Sequence, residues 1–110
     1  MTNRINGQWR LKSRPIGLVT ENDFEYVEIN LPDISEGEVL VRNIYLAFEP
    51  AMRGWLNDVK SYVPPVKIGE VMRASTVGQV IESNNPEFQP GQYVTGMMGW
   101  QEYFIDNGTP

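Results

Sequence analysis

Chemistry in this sequence has to come from a short set of side chains. Among its 110 residues there is no histidine and no cysteine. That excludes a Ser-His-Asp triad, a cysteine nucleophile and a histidine general base. It equally excludes a zinc or copper site ligated by His or Cys. What remains are five tyrosines, fourteen carboxylates, nine lysines and arginines, hydroxyls, backbone groups, or a cofactor brought from elsewhere. Glu36 and Glu38 flank Gly37, a turn setting in which solvated charges, not an acid–base pair, are expected. Arg53 stands four residues after Glu49, the spacing of a helix-face ion pair worth a few tenths of a kcal/mol. Met97, Met98 and Trp100 surround Gly99. Such soft, bulky groups suit a pocket for an apolar substrate of variable shape, and they suit a barrel core equally well. Neither GxGxxG nor GxxxxGK[ST] occurs, so the chain carries no phosphate cradle of its own.

The formal net charge is -5 and the isoelectric point is about 4.6. An acidic surface repels phosphate backbones, which argues against a general nucleic-acid binder. Hydrophobic residues make up 41% and charged residues 21%, an ordinary globular balance. The length fits one domain, or one piece of a larger protein, with an expected radius of gyration of roughly 13 Å. The opening residues 1–15 are polar and basic without an apolar stretch, and no run of 18 apolar residues follows. Neither a secretory signal nor a membrane span is expected, and cytoplasmic localisation is the default.

The elements that must position these groups read as strands punctuated by Gly and Pro. Residues 9–12 alternate apolar and charged, as a strand does, and Asn6-Gly7 before them suggests a tight turn. Residues 24–31 alternate cleanly, but the apolar positions change parity between Tyr26 and Val27. A bulge or burial on both faces would accommodate that change. Residues 39–47 form a β-rich run long enough for a central strand. Residues 50–56 could make a short helix with Pro50 in its first turn. A loop is expected over 57–69, then strands over 71–83, 93–98 and 101–105, separated by turns at 84–86 and 90–92. Trp9 and Tyr45 are expected in the core. Many short strands, one short helix and no strand–helix alternation indicate a mainly β barrel or sandwich and exclude a doubly wound fold.

Two longer stretches are specific. One runs from Gly37-Glu38-Val39-Leu40-Val41-Arg42 through Glu49-Pro50-Ala51-Met52-Arg53-Gly54. The other runs from Asn57-Asp58-Val59-Lys60-Ser61-Tyr62-Val63-Pro64-Pro65 to Gly69-Glu70-Val71-Met72. Together with residues 9–15 and 99–103, they resemble the zinc-independent medium-chain dehydrogenase/reductases. The branch is that of leukotriene B4 12-hydroxydehydrogenase, prostaglandin reductase and curcumin reductase. The resemblance covers the chain essentially end to end and implies a GroES-like, partly open β-barrel with short helices over residues 1–110. Family members continue into a Rossmann domain that binds NADP. The chain is therefore expected to be the substrate-side domain of a longer oxidoreductase and inactive by itself. The absence of His and Cys agrees with the zinc-independent branch.

The resemblance also implies a reaction: NADPH-dependent reduction of the C=C bond of an α,β-unsaturated ketone or aldehyde, with negative charge developing on the carbonyl oxygen. Tyr62, in the Ser-Tyr-x-Pro-Pro loop, matches a substrate-side tyrosine whose phenol could donate to that oxygen; a tyrosine merely packed on a proline-rich loop is the plainer alternative. Ala51 replaces a tyrosine common after the family's Asp-Pro dipeptide, here Glu49-Pro50. That removes a second phenol, which enlarges the pocket, moves the donor elsewhere or changes a variable wall. Ser75 matches a position that faces substrate in some relatives, and its hydroxyl is a candidate donor; Met98 and Trp100, from the apolar cluster above, are candidates to line the substrate pocket, and the resemblance implies Pro50 and Met52 at the interdomain cleft beside the nicotinamide. The implied partners are a small-molecule enone or enal and the protein's own Rossmann domain. A homodimer is compatible with the resemblance, and nucleic acid, membrane and metal are not expected. Two rival readings compete with the reductase. A non-catalytic barrel recruiting a protein partner would show an exposed apolar surface, and a single-strand nucleic-acid barrel would need a basic aromatic groove.

Overall fold

The computed structural model describes residues 4–48, 51–58 and 64–106. Six strands and one short helix follow in the order β1 (Ile5–Leu11), β2 (Phe24–Asn30), β3 (Val39–Leu46), α1 (Ala51–Trp55), β4 (Thr76–Ser83), β5 (Tyr93–Gly96) and β6 (Tyr103–Asp106). A single 3₁₀ turn, Glu21–Asp23, leads into β2. β1 and β2 form a two-stranded antiparallel sheet. The other four strands form a second sheet in the order β5-β4-β3-β6. No continuous ladder among the described residues joins the two sheets; isolated bridges tie β1 to segments outside the named strands, Gln8 to Gln101 and Arg10 to Val71, and the Glu102 N–H donates to the Gly7 carbonyl at 3.0 Å. The barrel is therefore partly open, as expected. The radius of gyration, 14.9 Å, exceeds the roughly 13 Å of a compact chain of this length.

Two local expectations are corrected, and one left open between two alternatives is decided. Asn6-Gly7 is not a turn: both residues lie inside β1, paired with Ile29 and Glu28. Gly7 is glycine because a Cβ there would run into the Tyr26 hydroxyl and the Glu102 carboxylate. The pairing of β1 with β2 also runs without a bulge from Ile5↔Asn30 to Leu11↔Phe24. The parity change is met by the second alternative, with Phe24 packed towards one core and Val27 and Ile29 half-buried on the other face. Trp9 and Tyr45 are not core residues but are 45% and 70% exposed.

Two cores hold the molecule together. The first gathers Leu11, Met52, Trp55, Leu56, Val66, Met72 and Ala74 under α1. The second lies beneath the four-stranded sheet and gathers Val39, Val41, Val80 and Met98. A buried amide cluster stitches the sheets between them. Gln101 Oε1 accepts hydrogen bonds from Asn6 Nδ2 (3.0 Å) and Gln8 Nε2 (2.7 Å), and Gln101 Nε2 donates to the Met98 carbonyl (2.7 Å). Asn6 Oδ1 in turn accepts from the Tyr103 backbone N–H at 2.9 Å. Asn6 and Gln8 are buried polar residues, and these bonds satisfy them where ladder pairing stops. No helix among the described residues is long and apolar enough to cross a membrane.

Candidate functional site

The candidate site forms where β3 runs out. Register shifts between Leu40 and Val41 and between Asn43 and Tyr45 twist the strand away from regular pairing. Its start, Val39 to Val41, is buried, while Tyr45, Leu46 and Phe48 emerge at its end. The chain stays anchored there because the Ala47 N–H donates to the Ser75 carbonyl at 2.9 Å. Gly78 permits the close approach of β4 to β3, since a Cβ would meet the Arg42 carbonyl at 2.8 Å.

Trp100 makes the floor. Its backbone N–H donates to the Met72 carbonyl, and its carbonyl accepts from the Trp9 N–H, both at 2.9 Å. Its ring packs against Phe24 at 5.1 Å and meets the edge of Phe48 at 5.9 Å. These are favourable aromatic separations. The indole N–H is buried without a hydrogen-bond partner among the described residues. An open cleft of about 930 Å³ lies over this stack, bounded further by Trp9, Tyr26 and Leu46. A second concavity of about 520 Å³ shares Leu46 and is lined by Tyr45, Ser75 and Met97. Phe48 is 77% and Met97 54% exposed, so both concavities present apolar side chains, with Thr20, Glu21, Asn22 and Glu102 forming a polar margin to the larger one.

The positions expected at the site part company here. Ala51 and Trp100 pack together with Met52 around the first core. Met52 itself is turned into that core and is 7% exposed. Ser75 belongs to the second concavity, where its hydroxyl lies 3.6 Å from the Met97 sulfur. Met98 faces the other way into the second core and is 5% exposed. The expected cluster of Met97, Met98 and Trp100 is thus divided three ways. Tyr62 and Pro50 lie outside the described residues, as does the Glu49 partner proposed for Arg53. Among the described residues Arg53 clamps the preceding loop, donating to the Pro15 carbonyl (3.2 Å), the Gly17 carbonyl (2.9 Å) and Asn57 Oδ1 (2.8 Å).

The electrostatics mark structure rather than acid–base catalysis. Asp23 is held below its ordinary carboxylate range, chiefly by the Thr20 backbone N–H, with Ser13, the Thr20 hydroxyl and Arg53 assisting against desolvation. Its role is to tie the loop before β2, since Oδ2 accepts from Thr20 N (2.9 Å) and Oδ1 from Ser13 Oγ (3.0 Å). Tyr26 is pushed above its usual value by desolvation and by the neighbouring carboxylates Glu28 and Glu102. No group of acidic, His or Cys side chains among the described residues could hold a metal ion. What the arrangement offers is an apolar, aromatic wall suited to binding and orienting an organic molecule and keeping water from it. Phe24, Phe48, Trp9 and Tyr26 were not legible as parts of this wall. Nothing in their spacing distinguishes a pocket aromatic from a core one.

Comparison with known proteins places this geometry. Residues 7–110 match the family described as the N-terminal domain of oxidoreductase. The chain is similar to the NADPH-dependent curcumin reductase of Escherichia coli (strain K12), 46% identical over 103 residues. That covers 94% of this chain and 30% of that protein. It is 35% identical over 100 residues to prostaglandin reductase 1 of Bos taurus, covering 91% of this chain and 28% of that protein. Among solved structures, CurA from Vibrio vulnificus superposes with a TM-score of 0.91 at 43% identity, over 94% of this chain and 31% of that one. The chain thus spans less than a third of the length of these relatives. Sequence and fold agree on one assignment: the chain belongs to the family of oxidoreductase N-terminal domains.

Proposed function

We propose that residues 1–110 are the substrate-side domain of a cytoplasmic, zinc-independent, NADPH-dependent reductase that saturates the C=C bond of α,β-unsaturated ketones or aldehydes. The observation that carries this reading is the apolar wall at the end of β3, in a chain whose relatives are named as NADPH-dependent curcumin reductase, prostaglandin reductase and 2-alkenal reductase. A conjugated carbonyl compound is flat and largely apolar, and a wall of Trp100, Phe48, Leu46 and Met97 fits it by shape and dispersion rather than by charge. The same wall would suit the partner of a non-catalytic module; the reductase relatives favour catalysis.

NADPH supplies hydride to the β-carbon when bound. The residues described offer it no phosphate cradle, and Met52 packs into the first core. The dinucleotide is assigned to the protein's own Rossmann domain, with Pro50 and Met52 assigned to the nicotinamide side. Negative charge then develops on the carbonyl oxygen, and a proton arrives at the α-carbon. Tyr62 is assigned the hydrogen bond to that oxygen, and the apolar wall strengthens the bond by excluding water. Ala51 contributes no second phenol, so Tyr62 carries the oxyanion alone from this side, while Ser75 and Trp100 shape the wall.

The test is NADPH oxidation with a panel of enones and enals, using the longer protein that contains this chain. Turnover by that protein, none by the 110-residue chain, and a loss of about 10²–10³ in Tyr62→Phe are expected. Turnover untouched by Tyr62→Phe would move the donor elsewhere. Absence of turnover on every enone and enal would overturn the reductase reading.

A further inference from the structure

The cleft over Trp100 carries charge of one sign. β1 lines it with Gly7 and Trp9, and β2 with Phe24 and Tyr26. Successive strand residues point to opposite faces. Arg10 therefore leaves on the other face of β1, where it donates to Gln8 Oε1 at 3.0 and 2.7 Å. Arg4 pairs with Glu82 at 3.7 Å, and Arg53 is held by the loop carbonyls described above. Among the described residues that line the cleft, the charged ones are Glu21 and Glu102, and no lysine or arginine among the described residues stands within ion-pair distance of either. Glu102 is fixed from both sides. Its N–H donates to the Gly7 carbonyl at 3.0 Å, and its carbonyl accepts from the Asn43 N–H at 2.8 Å. Its carboxylate lies over Gly7, where a Cβ would stand 2.6 Å from Oε1 and would also strike the Tyr26 hydroxyl. Glycine at this position lets the carboxylate and the phenol settle side by side over β1. The phenol registers the charge around it: Tyr26 donates to Glu28 Oε2 at 3.3 Å and is pushed above its usual value by desolvation first, then by Glu28 and Glu102.

We propose that Glu102, together with Glu21, makes this cleft select by charge, admitting uncharged enones and enals and turning away those that carry a carboxylate. The inference rests on the reductase reading for its substrate class and names the residue that narrows that class. An aromatic wall attracts a flat ligand of either kind through dispersion, so discrimination has to come from the charged margin. A carboxylate seated about 7 Å from Glu102 meets like-charge repulsion worth about three- to fiftyfold in affinity, between the effective dielectric of water and that of a protein surface. An ester of nearly the same shape does not meet it.

The experiment compares para-carboxybenzalacetone with its methyl ester in the longer protein that contains this chain, at neutral pH. Calorimetric titration gives the two dissociation constants, and NADPH oxidation gives turnover. The ester is expected to bind about tenfold more tightly than the acid. Raising NaCl from about 20 mM to about 500 mM should narrow that gap several-fold, because screening weakens the repulsion. In Glu102→Gln the acid-to-ester ratio of dissociation constants should fall about fivefold and lose most of its salt dependence, and Glu102→Lys should lower it further. The ratio is taken within each variant, so a general loss of affinity cancels. An acid that binds as tightly as the ester, a gap indifferent to salt, or an unchanged ratio in Glu102→Gln would overturn the selection. Turnover of both compounds in that case would leave the reductase reading standing. Charge selection with neither compound reduced would instead count against the reductase reading and keep Glu102 in its role. Failure of the ester to bind would overturn both.

Discussion

Replacing Gln101 with leucine should separate the two sheets, and the structure says by how much. The side chain is removed from three buried partners: the donors Asn6 Nδ2 and Gln8 Nε2 and the Met98 carbonyl. Each group left unpaired costs about 1–1.5 kcal/mol, a loss of about 3–4.5 kcal/mol in all. Leucine recovers roughly 1 kcal/mol by burying apolar surface at a half-buried position, leaving a net loss of about 2–3.5 kcal/mol. In urea, with a slope of about 1–3 kcal/mol/M, the midpoint should fall by roughly 0.7–3.5 M. Trp9 and Trp100 flank the cluster, so tryptophan fluorescence reports the transition directly. Asn6→Leu combined with Gln101→Leu removes both ends of one bond. The double variant should therefore lose less than the sum of the single variants, by about 1 kcal/mol. A loss below about 0.5 kcal/mol in Gln101→Leu, or strict additivity in the cycle, would refute the claim that this amide cluster joins the sheets and holds Trp100.

Three further outcomes follow from single positions. Gly99 has φ +80°, and a Cβ would come 2.9 Å from the Met72 carbonyl oxygen. Gly99→Ala should cost about 1–3 kcal/mol in the same urea assay, and an unchanged midpoint would contradict this backbone geometry. Asp23 has its folded pKa lowered, so it binds a proton more readily unfolded than folded; its contribution is complete above the ordinary value of 3.8 and is lost as pH falls below it. Asp23→Asn should flatten the stability-versus-pH curve in that acid range and leave its slope near neutrality unaltered, which urea midpoints from pH 2 to 7 would check. Phe48 is mostly exposed, and its one ring contact among the described residues is an edge on Trp100. Phe48→Ala should change stability by no more than about 0.5 kcal/mol while weakening binding of a flat aromatic enone about tenfold, read by quenching of Trp100 fluorescence. Equal binding by both forms would remove Phe48 from the wall.

How much of this was legible depended on whether the deciding contact was local. The β-rich run at 39–47 became β3 because its branched and aliphatic residues set both propensity and burial. The short helix after Pro50 likewise followed from local chemistry and appears as Ala51–Trp55. Asn6-Gly7 misled because the pair signals a hairpin only when strands run away from both sides of it. Here the glycine answers to Tyr26 and Glu102, far away in sequence, and the asparagine to Tyr103. Trp9 and Tyr45 misled in the opposite direction, since aromatic type argues for burial but cannot say which face the rest of a protein covers. The divided 97–100 cluster shows the limit most plainly. Soft apolar residues adjacent in sequence look like one pocket, yet in an extended segment neighbours point to opposite sides. Met98 therefore goes to the second core, Met97 to the surface beside Ser75, and Trp100, after the positive-φ turn at Gly99, to the stack with Phe24 and Phe48. The candidate wall is thus built from residues brought together by the register of three strands and one glycine turn. Residue type could nominate Trp100 for it but could not supply Phe48 beside it or remove Met98 from it.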